Sequence, residues 1–166
     1  PYLAGSCDIW IIKQATYEKY KEQYDELHEM GERFWVYTCG FPANKWMNHI
    51  IDLPLSATRL IPWQGIRHGL DGFLHYGYLE FNEGMNPMYD TAFGRIDKKE
   101  MRYFPPGNGN VIYTDGKVIY DSIRAHVHRI SAGEGELLLK LRELDEQRCY
   151  EIIDSVSTSF EEYTSD

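Results

Sequence analysis

Apolar residues along this chain fall in short runs separated by amphipathic stretches. The first run, Asp8 to Ile12 (DIWII), is a continuous string of β-branched and aromatic residues, the pattern of a strand buried on both faces. Beyond Lys13 and Gln14, with Thr16 placed to cap a helix, Tyr17, Tyr20, Tyr24 and Leu27 recur on one helical face. Glu18, Lys21, Glu22, Asp25 and Glu29 point away from it, and Gly31 ends it. Phe34 to Cys39 (FWVYTC) is a second strand, closed by the loop residues Gly40, Phe41 and Pro42. Pro54 to His68 reads as a helix with Leu55, Arg59, Pro62, Trp63 and Ile66 near one stripe. Pro62 is expected to kink or split that helix, and Gly69 to stop it. Gly72 to Tyr78 (GFLHYGY) is the third strand.

Strands and helices that alternate in this way predict parallel βαβ units, with Phe34 to Cys39 as the middle strand. After Tyr78 the pattern changes. Asn82 to Asn110 is long, irregular and rich in Gly and Pro, a length associated with active-site loops. Val111 to Tyr113 and Val118 to Tyr120 flank Thr114-Asp115-Gly116-Lys117, a β-hairpin signal. Leu137, Leu138, Leu141 and Leu144 make the stripe of one helix, while Tyr150, Ile152, Ile153 and Val156 indicate another. The polar segment from Ser157 to Asp166 is expected to fray. The chain therefore divides into βα units over 1–80, a long loop with a hairpin over 81–133, and C-terminal helices with a tail over 134–166.

Length and charge narrow the reading. At 166 residues the chain holds one core. Its net charge of −9 opposes nucleic acid as a general ligand. No apolar run approaches the roughly 20 residues of a membrane span. The composition fits a cytoplasmic or a secreted protein equally. Cys7, Cys39 and Cys149 lack C-x-x-C spacing and read as inert thiols. No cofactor is expected. His126 and His128, two residues apart, cannot share a helical face, which argues against a zinc site.

Three parallel strands leave open edges and an uncovered face. A (β/α)8 barrel takes about 250 residues, so the expected fold class is α/β, the C-terminal part of a TIM barrel followed by a hairpin and helices. The remaining strands are expected upstream of Pro1, or the sheet is completed by self-association.

Several blocks carry a family resemblance in order: CDIWI; FWVYTCGFP; IDLPLSATRLIPWQGIRHGLDGFLHYGY; FPPGNGNVIYTDGKVIYDSIR; and ELLLKL. The third is the most specific, through Arg59, Trp63, Gln64 and Gly72-Phe73-Leu74-His75. Over Cys7 to Leu141 the chain resembles the C-terminal half of the family 123 glycoside hydrolases and their uncharacterised DUF4091-type relatives. The resemblance implies that the three strands are barrel strands 6, 7 and 8. It also implies hydrolysis of a terminal β-linked N-acetylgalactosamine assisted by the substrate's own acetamido group. The adjacent Asp-Glu pair that such enzymes use would lie earlier in the barrel. Here Asp25-Glu26 and Asp145-Glu146 sit in charge-rich helical surroundings, and neither is assigned as catalytic. The chain departs from the family pattern at Tyr76, where Trp is usual, and at Arg129-Ile130-Ser131 and Glu134-Gly135.

Ligands of a parallel barrel sit at the carboxyl ends of its strands, which points to Tyr37, Thr38, Tyr76 and Tyr78. Aromatic faces stack on sugars and phenol hydroxyls bond their oxygens, although layer packing explains the tyrosines as well. Trp46, in a polar loop, is a candidate sugar platform, and Asp90 a candidate partner for a sugar hydroxyl. His75 and Trp10 read as packed residues, and Arg59, Trp63 and Gln64 as anchors behind the barrel. Gly107-Asn108-Gly109-Asn110 precedes a strand rather than a helix and reads as a turn, not a phosphate cradle. The expected partner is an N-acetylhexosamine-containing glycan. The competing reading is a non-catalytic carbohydrate-binding or structural domain.

Overall fold

A computed structural model describes residues 3–80, 84–86, 88–90, 94–97 and 100–165. Strands β1 (Trp10–Lys13), β2 (Phe34–Thr38) and β3 (Gly72–His75) form a parallel sheet in the order β1-β2-β3. The register pairs Ile12 with Val36 and Val36 with Phe73. Between β1 and β2 run helices α1 (Gln14–Lys19) and α2 (Lys21–Glu29); between β2 and β3 run α3 (Leu55–Arg59) and α4 (Ile61–Arg67). The antiparallel pairs β4 (Gly94–Asp97) with β5 (Glu100–Tyr103) and β6 (Tyr113–Thr114) with β7 (Ile119–Tyr120) follow. Helices α5 (Ile123–Leu144) and α6 (Glu146–Asp154) close the chain. This is the C-terminal part of a (β/α)8 barrel. Among the described residues no helix is long and apolar enough to cross a membrane.

Alternation along β2 divides the sheet into two unlike faces. Phe34, Val36 and Thr38 are buried and face the helices, together with Trp10, Ile12 and Phe73. On the other face, which in a barrel points inward, Ile11 is 51% exposed and Leu74 39%. Trp35 lies across Gly72, where a side chain would meet the indole ring. The first run is thus buried on one face only, a correction to the reading from its unbroken hydrophobicity. Apolar side chains alternate with apolar side chains because a barrel interior also takes them.

Local punctuation behaves mostly as its chemistry dictates. Pro62 stands in the first turn of α4, where its missing amide is harmless, so the helical stretch is split at Leu60. Gly69 and Gly31 adopt positive φ past the ends of their helices. The first helix begins at Gln14 rather than being capped by Thr16, and it breaks at Tyr20, leaving that ring 40% exposed while Tyr17 and Leu27 are buried. The third strand stops at His75. The long segment after Tyr78 carries β4 and β5, which its irregular composition did not announce.

The C-terminal region differs more. Helix α5 starts at Ile123, where Ser122 accepts a hydrogen bond from the Ala125 amide. Its buried face is Val127, Ser131, Gly135 and Leu138, while Leu137 and Leu144 are exposed. The leucine stripe is therefore corrected: small residues set the face because α5 crosses α3 and α4 closely. The tail is docked instead of frayed. Phe160 is fully buried against Tyr17 and His68, its carbonyl accepts from the Met47 amide, and its amide donates to Glu18. Phe160, with Tyr163 partly buried against the same core, holds a segment whose composition is otherwise polar.

Candidate functional site

The carboxyl ends of β2 and β3 meet the segment from Pro105 to Ile112. Tyr37 and Tyr76 stand on the paired ends of β2 and β3, where the Tyr76 amide donates to the Thr38 carbonyl. Burial, then the neighbouring Cys39 and Tyr76, push the Tyr37 phenol up to about 12, so it is a hydroxyl donor at neutral pH. Tyr76 is 50% exposed and Tyr78 52%, and the Tyr78 carbonyl accepts from the Val111 and Ile112 amides. The Tyr76–Gly77 and Phe41–Pro42 peptides are cis.

Behind these tyrosines lies a polar cluster. Thr38, fully buried on the helix-facing side, lies 2.9 Å from His75 Nδ1, and His75 Nε2 lies 2.7 Å from the Asn108 carbonyl. A carbonyl only accepts, so Nε2 carries the proton and the Thr38 hydroxyl donates to Nδ1. Burial holds His75 down to about 4, which keeps this tautomer neutral. The His49 ring packs 4.1 Å from His75 and its Nδ1 lies 2.7 Å from His128 Nε2. Burial first, then His75, His128 and Arg124, hold His49 well below the usual imidazole range. Among the described residues no group of three or more His, Cys, Asp or Glu is arranged to hold a metal ion. The imidazole nitrogens of His75 are engaged with Thr38 and Asn108 instead.

The other sequence-selected residues lie elsewhere. Trp46 is partly buried against the cluster of Ile12, Tyr17, Val36 and Phe160. Asp90 is exposed and closes a turn, accepting from the Asn86 amide at 2.8 Å. Arg59 and Trp63 both donate to Glu134 and so bind α3 and α4 to α5, while Gln64 Nε2 donates to the Ser157 carbonyl. The helical half of the most specific sequence block thus anchors, while its strand half carries His75, Tyr76 and Tyr78 into the site. Asp25 accepts from Lys21 and the Tyr17 hydroxyl, and Asp145 caps α6 through the Arg148 amide. Asp25-Glu26 lies within α2, and Asp145-Glu146 forms the cap and first residue of α6, where Glu146 accepts from the Tyr150 hydroxyl. Sequence reasoning missed Asn108 and Arg124, which reach the site from the turn and from α5; the Gly-Asn-Gly-Asn spacing was the visible signal.

These parallel strands, with their aromatic carboxyl ends, coincide with a family pattern: the model of the glycoside hydrolase 123 catalytic domain matches residues 5–140. The chain belongs to the glycoside hydrolase 123 family. The match runs from before β1 through most of α5, a stretch of this chain that contains the tyrosine edge, the histidine cluster and the Arg59–Glu134 anchor. Function of the glycoside hydrolase type, and carbohydrate as the class of ligand, follow from that membership. Comparison with the curated proteins gives no match.

Proposed function

We propose that this chain forms one wall of the sugar cleft in a glycosidase-type barrel that acts on glycans ending in β-linked N-acetylgalactosamine. The observation that carries the reading is the placement of Tyr37 and Tyr76 at the carboxyl ends of the paired strands β2 and β3, with Tyr76 half-exposed. There the rings offer stacking faces to a pyranose, and the hydroxyls meet its oxygens. Tyr78 extends the same wall, and Thr38 supports it from behind through His75. The substrate's acetamido group assists the reaction, and the acid that protonates the leaving oxygen comes from a carboxylate pair outside this chain.

A second reading has its own observation. The inward face around Ile11 and Leu74 is open, which favours a carbohydrate-binding or structural domain completed by a second copy. Both readings agree on one result: purified chain leaves a chromogenic N-acetyl-β-galactosaminide at its background rate. General acid catalysis contributes about 10²- to 10⁴-fold, and without it turnover disappears. Turnover above background that vanishes on substituting a residue within this chain would overturn the assignment of the acid to another segment.

A further inference from the structure

We propose that Arg124 is a positioning residue for the tyrosine edge, fixing the segment 107–111, which in turn fixes Tyr76 and Tyr78. The inference rests on the carbohydrate reading of that edge. Arg124 is buried near the start of α5. Its Nη1 donates to the carbonyls of His49, at 2.5 Å, and Gly107, at 2.7 Å; its Nη2 donates to the carbonyl of Asn110 and to the Tyr113 hydroxyl. A planar guanidinium is suited to this task, because its rigid fork fixes several acceptors at once. Gly107 lies against it at φ +80°, and a Cβ there would stand 2.6 Å from Nη1.

The segment held this way is stitched to the strand end residue by residue. Asn108 accepts from His75 Nε2 through its carbonyl, and its side-chain amide donates to the Tyr76 carbonyl at 3.2 Å. The Glu80 amide donates to the Gly109 carbonyl at 2.7 Å, and the Val111 amide to the Tyr78 carbonyl at 2.8 Å. Tyr76 and Tyr78 are therefore bracketed by bonds to a segment whose own position is set from Arg124. Loss of the fork leaves buried carbonyls without donors, and the segment, together with the strand end it holds, opens locally.

The test compares the wild-type chain with Arg124→Lys, which keeps the charge and loses the fork, and with Asn108→Ala, which cuts the link between segment and Tyr76. Amide hydrogen exchange and binding of N-acetylgalactosamine are measured on each. In Arg124→Lys the Glu80 and Val111 amides exchange about tenfold faster or more, while the β1–β2 ladder keeps its protection. Sugar affinity falls about tenfold in both variants, the scale on which a displaced contact group acts. Acceleration of the ladder together with the segment, or unchanged exchange at Glu80 and Val111, would overturn the proposal. Should wild-type chain bind no sugar while the segment amides still respond alone, the carbohydrate reading falls and the positioning role stands.

Discussion

As the pH falls from about 6.5 to about 4, the fold is expected to lose roughly 3 kcal/mol of stability for each of His68 and His75, at about 1.36 kcal/mol per pH unit of displacement. An unfolded imidazole takes its proton near 6.5, whereas these two in the folded chain do so only near 4. Proton uptake between those values therefore favours unfolding. The stability is complete above the upper value and is lost progressively down to the lower one. Burial is the main cause at both sites. His68 sits between the Tyr17 and Phe160 rings, with Lys21 and Arg67 adding repulsion and Asp25 and Asp154 opposing it. His75 faces His128 and Arg124, with the Asn108 carbonyl partly compensating. His49 and His128 are displaced in the same direction. Against a total stability of roughly 5–15 kcal/mol, such losses bring acid unfolding within reach. Denaturant melts at about pH 7.5 and pH 4.5 check this, and His68→Phe should flatten the dependence. Equal midpoints at the two pH values would contradict it.

Glutamate in place of both Ile11 and Leu74 is expected to turn an associating chain into a monomer with little change in melting temperature. The two side chains are 51% and 39% exposed on the inward face, beside Trp35 and Tyr37. Full burial of a large apolar side chain contributes roughly 1.5–3 kcal/mol, so covering these half-exposed ones recovers about half that for each. A carboxylate at each position makes that burial costly and removes almost nothing from the monomer's own core. Sedimentation measures the change. A wild-type chain that already sediments as a single monomeric species, with a cooperative transition at high temperature, would mean that the sheet is closed in another way.

How much of this was legible beforehand depends on whether the deciding interaction is local. Hydrophobic runs and the crossovers between them give the three strands and their order, since consecutive βαβ units admit little other topology. Pro62 and Gly69 act on their own backbone and are read directly. The docking of Phe160 was not readable, because one buried ring among polar neighbours carries no periodic signal. The start of α5 at Ile123 was hidden for a related reason. Its buried face begins with Arg124, a residue type that hydrophobic patterning discards and that only its carbonyl partners explain. At the site, Tyr37 and Tyr76 follow from strand alternation, whereas the His49–His75–His128 cluster joins a loop, a strand and a helix distant in sequence.

Sugar binding at the tyrosine edge is measured by chemical-shift mapping of the full chain during titration with N-acetylgalactosamine. Saturating shifts are expected at Tyr37, Tyr76 and Tyr78, smaller ones at His75 and Asn108 behind them, and none in α6 or the docked tail. Shifts that stay flat at every sugar concentration, or that gather away from the carboxyl ends of β2 and β3, would contradict it.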